Sequence, residues 1–174
     1  MNVPHPYSSP LGAVVRGMTA ATVGTLAMDA VWYSRYRREG GTSDFLAWET
    51  AEGLSDWDHA PVPARVGRRL IEAFLQRPLP ATGVRTLTNV MHWGYGLTWG
   101  ALYGLIVGST RRRSPLLGPL FGATVFSADY AILPLGGFYK PIWEYDAKTV
   151  WKDLSAHLVF GSATGIVFWL LSRV

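Results

Sequence analysis

The sequence contains no cysteine. This absence excludes disulfide bonds, thiolate metal ligands, covalently attached haem and a thiol nucleophile. Charged residues are also scarce, at 16% of the chain against about 25% in ordinary soluble domains. No cluster interleaves basic and aromatic residues as nucleic-acid sites do. These absences argue against a nucleic-acid-binding protein and indicate a chain that lies largely in lipid.

Sequence signatures of catalysis are missing as well. The apolar stretches hold no glycine-framed serine nucleophile, no H-E-x-x-H pair and no phosphate-cradling loop. We therefore do not expect an enzyme. An enzyme that acts on lipid, with Asp and His as its acid and base, stays a third possibility.

Four apolar stretches are long enough to cross a bilayer core, which takes roughly 17–25 helical residues. They cover residues 11–33, 86–108, 115–135 and 150–171. Eight Trp and 19 Gly fit this interpretation, since Trp marks membrane interfaces and Gly lets helices pack closely in lipid. The sequence predicts a single all-α membrane domain over residues 1–174, with four transmembrane helices arranged as two hairpins.

Residues 35–85 form a polar segment between the first two spans. Ser43 is a candidate cap for a short helix that ends by Gly53, and residues 63–76 have the pattern of a basic amphipathic helix. Such a helix lies on the membrane surface or packs on the end of the bundle. With a net charge of +4, anionic lipid headgroups are the simplest partner of the chain.

Orientation is predicted from the shortest loop. Arg111, Arg112 and Arg113 fill the connection between the second and third spans. The positive-inside rule places this loop and both termini in the cytoplasm, although the opposite loops are also basic.

Each predicted span holds an ionisable residue at a similar depth: Asp29, His92, Asp129 and His157. At 1.5 Å per residue, all four lie roughly 9–10 Å below the same membrane face. Ionisable groups within a membrane are costly unless they are paired or hydrated, and they mark functional sites by default.

Spans two and four share the pattern H-x-x-[YF]-G-x-x-x-G, which suggests that one helix hairpin is used twice. Chance is a rival explanation, because glycine is abundant. The second span also carries a glycine every four residues, at Gly96, Gly100, Gly104 and Gly108. Such a glycine zipper serves contacts within the bundle or joins two copies in a homo-oligomer.

Besides the lipid-acting enzyme, two functions compete for the Asp and His residues. They suit a cation or proton site, because two His and two Asp can bind a divalent transition metal or relay protons. Asn89 and Asp153, each one turn from a His, would then orient the imidazoles. The alternative is a structural or assembly subunit in which Asp–His bonds only clasp the helices.

Residues 118–161 resemble the uncharacterised YagU-like family of small bacterial inner-membrane proteins. The similar features are the glycines Gly118 and Gly122, the break at residues 133–136, the turn at residues 141–144, and Ala156-His157. In that family the third span carries a His near the position of Asp129. The resemblance implies a bacterial inner membrane and a link to acid tolerance, without a known mechanism.

Overall fold

The computed structural model describes residues 9–110 and 114–173, and Arg111, Arg112 and Arg113 lie outside them. Within this part of the chain all regular structure is helical, which confirms the predicted all-α fold. The six α-helices are α1 (Pro10–Arg38), α2 (Phe45–Glu49), α3 (Val62–Leu75), α4 (Val84–Gly108), α5 (Leu117–Ile132) and α6 (Ala147–Leu171). Short 3₁₀ helices occupy Ala81–Gly83, Leu133–Gly136 and Ile142–Glu144.

Two of the described helices, α1 and α6, are long and apolar enough to cross a membrane. Both begin with a side-chain cap. The Ser9 hydroxyl accepts from the Gly12 amide at 3.1 Å, and the Asp146 carboxylate accepts from the Thr149 amide at 3.0 Å. These caps satisfy amide groups that have no partner in the first helical turn.

The segment between α1 and α4 differs from its prediction at the first short helix. Its short helix covers only Phe45–Glu49 and is capped by Asp44, not by Ser43. Ser43 is engaged elsewhere: its carbonyl oxygen accepts from the Tyr33 hydroxyl, and its own hydroxyl bonds that of Tyr36, both at 3.1 Å. The amphipathic helix α3 lies within one residue of the predicted 63–76.

The third apolar stretch is also shorter as an α-helix than predicted. Residues 115–135 were expected to be one span, but α5 ends at Ile132. Pro134 removes a backbone donor, and the chain tightens into the 3₁₀ helix Leu133–Gly136. Gly137 then turns the chain with a φ of 72°.

Helix α1 packs against both α4 and α6, and α5 packs against α6. Glycines permit these close approaches. A Cβ at Gly17 would overlap the backbone of Gly100, and one at Gly118 would overlap that of Gly161. The predicted glycine stripe of α4 therefore faces α1, so it is covered within the chain. A homo-oligomer stays a prediction, and it would need another surface.

Aromatic side chains lie between α4 and α5. Phe121 on α5 contacts Trp99 and Tyr103 on α4, with ring centroids 6.2 Å and 4.6 Å apart. Large side chains thus hold α4 and α5 further apart than the glycines hold α1 and α4. This wider gap leaves room for a cavity in the bundle.

Candidate functional site

The first candidate pair joins α1 to α4. Asp29 is 3% exposed, and its Oδ2 lies 3.1 Å from Nε2 of His92. One turn towards the middle of the bundle, Thr25 lies against Gly96. The absence of a side chain at Gly96 lets α4 approach α1 closely enough for this bond.

The second pair joins α5 to α6. Nε2 of His157 lies 3.2 Å from Oδ2 of Asp129. Its Nδ1 lies 3.0 Å from the backbone oxygen of Asp153 and 3.2 Å from the Oδ1 atom of that residue. The imidazole of His157 is thereby held between two carboxylates, with both ring nitrogens engaged.

A tyrosine connects the two halves of the bundle. The Tyr95 hydroxyl on α4 donates a hydrogen bond to Oδ1 of Asp129 on α5. Tyr95 has no role among the functions predicted from the sequence. Its signal was its place in the repeated pattern, one turn after His92.

Asn89 was predicted to orient the imidazole of His92, and the hydrogen bonds of its amide nitrogen connect it to other residues. Its amide nitrogen donates to the backbone oxygens of Thr50 and Arg85, at 3.0 Å and 2.9 Å. The Arg85 guanidinium also donates to Thr50, to the backbone oxygen at 2.9 Å and to the side-chain hydroxyl at 3.0 Å. These bonds fix the end of α2 on α4, and they hold the preceding residue, Glu49, near the bundle.

Glu49 is the site residue that the sequence did not reveal. One ligand atom each from Asp29, Glu49 and His92 lie within 4.8 Å of one another. Among the described residues, no other group of three His, Cys, Asp or Glu side chains meets this condition. The four predicted residues therefore form two separate pairs, and the potential metal ligands converge only at the first.

Both pairs line one cavity of about 460 Å³, which we call the acidic chamber. It lies at the end of the bundle where α1 and α5 end and where α4 and α6 begin, and loop residues form part of its wall. Its wall includes four carboxylates, two imidazoles and six aromatic side chains: Asp29, Glu49, Asp129, Asp153, His92, His157, Trp32, Trp48, Tyr95, Trp99, Tyr139 and Phe160. No Lys or Arg is among the described residues of the wall.

Two loop residues in the wall of this chamber, Glu49 and Tyr139, have raised pKa values. Burial raises the pKa of the Glu49 carboxyl, and the nearby charge of Asp29 raises it further. Burial likewise raises the pKa of the Tyr139 phenol, and the charge of Asp153 adds to this effect. Burial is the larger cause of both pKa shifts, and a positive ion in the chamber would offset only the smaller part that comes from the neighbouring carboxylates.

Comparison with models of known protein families, with curated proteins and with solved structures finds no match for this chain.

Proposed function

We propose that this chain is an integral membrane protein with four transmembrane helices, paired as the hairpins α1–α4 and α5–α6, and that its acidic chamber binds cations. The outer faces of the long helices support the membrane part of this proposal. Large apolar side chains are exposed on all four: Leu11, Val15, Leu102, Ile106, Leu120, Ile166 and Leu170. The buried positions of α1 hold mostly Ala and Gly instead. Lipid is the solvent that suits such an exterior.

Helix α5 has only 16 residues, or about 24 Å of α-helix. The 3₁₀ helix that follows adds about 8 Å. Together they match the hydrocarbon core of about 30 Å. This length supports a third span that is completed by residues 133–136.

Helix α3 suits the surface of the bilayer. Leu70 and Phe74 are 64% and 87% exposed, and the basic residues Arg65 and Arg69 are exposed on the same helix. An apolar face in the interface and arginines at the headgroups are typical of interfacial helices. We propose the lipid bilayer as the partner of this helix.

The observation that carries the function is the composition of the chamber wall. Four carboxylates and two imidazoles face one cavity, and no Lys or Arg from the described residues lines it. In a membrane this excess of negative charge is unfavourable unless water or a cation compensates it. Binding of a cation, whether a metal ion or a proton, is the function that this composition favours.

The resemblance to the YagU-like family supports a bacterial inner membrane as the location. The positive-inside rule, applied to the arginines between the second and third spans, supports both termini in the cytoplasm.

The alternative, a structural subunit, is supported by the same side chains in another way. Each Asp–His pair joins two helices, at 3.1 Å and 3.2 Å, as a clasp would. A clasp needs neither water nor access from solution, and this difference can be tested.

Because the chain has no native cysteine, a single introduced cysteine gives an unambiguous readout. Met28 lines the chamber, and Val90 is 59% exposed on the outside of α4. We would label Met28→Cys and Val90→Cys in membranes with a cationic and an anionic methanethiosulfonate, each rate divided by the rate for free cysteine. For Met28→Cys we expect the cationic reagent to react at least about tenfold faster, because an acidic cleft concentrates cations.

Val90→Cys should react with neither charged reagent, since it faces lipid in this proposal. An unreactive Met28→Cys, or equal normalised rates for both reagents, would leave the clasp as the better description.

A further inference from the structure

The convergence of Asp29, Glu49 and His92 has a geometry close to that of a metal site. Bonds of about 2.0–2.2 Å in a tetrahedral site place neighbouring ligand atoms roughly 3.3–3.6 Å apart. The atoms of Asp29 and His92 are already 3.1 Å apart, and the ligand atoms of all three residues lie within 4.8 Å. A side-chain movement of about one ångström at Glu49 would complete three-ligand coordination.

A second observation concerns Glu49 itself. Its Oε1 atom is buried and has no hydrogen-bond partner among the described residues, whereas the side chain as a whole is partly buried and its carboxyl group interacts with Trp93. Burying a carboxylate oxygen without a partner is unfavourable, and such groups are usually neutralised or bind a metal. The bonds from Arg85 and Asn89 to Thr50 keep the residue in this position.

The second Asp–His pair is less suitable as a metal site. Both nitrogens of His157 are engaged, by Asp129 on one side and Asp153 on the other. A metal there would have to displace one of these contacts. The pair of Asp29 and His92 is therefore the better metal site, and the pair of Asp129 and His157 is better suited to joining α5 to α6.

We propose that Asp29, Glu49 and His92 bind one divalent transition metal ion of the first row, with an open coordination position towards the acidic chamber. This inference rests on the proposed cation-binding function and names its ligands. One imidazole and two carboxylates suit Zn²⁺, Co²⁺, Fe²⁺ or Mn²⁺, and the lack of cysteine excludes a thiolate site for Cu⁺. The metal would bind Nε2 of His92 and the Asp29 carboxylate in place of the hydrogen bond between them, and the proton of that bond would move to Nδ1 of His92 or leave to water.

The test uses the full chain in mild detergent, stripped of metal with a chelator and titrated with Co²⁺ while its visible absorption is recorded. The variants are Glu49→Gln, His157→Gln and Glu52→Gln, the last an exposed carboxylate on the same loop. We expect about one Co²⁺ per chain in the wild type and in Glu52→Gln. For Glu49→Gln we expect an affinity at least about tenfold lower, because even partners outside the coordination shell are worth that much. Circular dichroism and gel filtration would show that each variant is folded.

No saturable Co²⁺ binding, or unchanged affinity in Glu49→Gln, would overturn the metal site. So would a loss confined to His157→Gln, since it would place the metal at the second pair. The cation preference of Met28→Cys is a separate measurement. If it persists without Co²⁺ binding, the metal inference fails and the cation-binding chamber stands. If Co²⁺ binding and the cation preference are both absent, the proposed cation binding fails as well.

Discussion

Tyr95 and Tyr103 lie two turns apart on α4, yet their hydroxyls have different surroundings. The Tyr95 hydroxyl donates to Asp129, whereas the Tyr103 hydroxyl is buried without a partner among the described residues. A hydrogen bond to a charged group contributes about 1.5–3 kcal/mol, and an unpaired buried hydroxyl costs stability. The two side chains therefore form a matched pair for substitution by phenylalanine.

We expect Tyr95→Phe to lower the free energy of unfolding by about 1.5–3 kcal/mol, and Tyr103→Phe to leave it unchanged or raise it slightly. Thermal or denaturant unfolding in one detergent, with chelator present, measures both. Equal losses in the two variants would mean that the bond between Tyr95 and Asp129 contributes nothing specific.

At the scale of the residue, Asp29, His92, Asp129 and His157 could be predicted as site residues because ionisable side chains are conspicuous in apolar stretches. The sequence could not single out Glu49. That residue lies in a polar loop with several other acids, and no local pattern distinguishes it from its neighbour Glu52. Only the folding of α2 onto the end of the bundle brings it to Asp29.

At the scale of the helix, the glycines of α4 differ sharply in their surroundings. A Cβ at Gly100 would meet the Ala21 side chain and, at 2.6 Å, the backbone oxygen of Gly17. A Cβ at Gly94 would meet nothing within 4 Å. The four-residue spacing predicted a close approach of helices, but it did not identify α1 as the partner, because spacing on one helix contains no information about the other.

We expect Gly100→Ala to destabilise the protein by about 1–3 kcal/mol, because an extra methyl group in a packed contact forces the helices apart. Gly94→Ala should be neutral or stabilising, since alanine favours a helix by about 0.5–1 kcal/mol over glycine. Unfolding in a common detergent compares the two. A harmless Gly100→Ala would show that α1 and α4 are not packed through this position.

At the scale of the whole molecule, the number of membrane crossings decides where the loops lie. The length and apolarity of α1 and α6 are those of spans, while α4 holds several polar residues and α5 is short. With only two spans, residues 39–146 would all lie on one side of the membrane. With four, the loop before α4 and the loop after it lie on opposite sides. The sequence predicted four crossings from run length, and run length alone cannot tell a span from a long buried helix.

Two exposed serines distinguish these topologies. Ser55 lies in the loop between α2 and α3, and Ser109 lies just after α4. We expect Ser55→Cys to react with an impermeant maleimide in intact bacterial cells, and Ser109→Cys to react only in inverted membrane vesicles, because the arginines that follow Ser109 favour the cytoplasm. Since the cysteine-free wild type supplies the blank, each signal belongs to one position. Reaction of both cysteines from the same side would require that α4 and α5 do not cross the membrane, and the chamber would then lie outside the bilayer. Reaction from opposite sides in the reverse order would keep the four spans and invert the orientation, so that the acidic chamber would open to the cytoplasm.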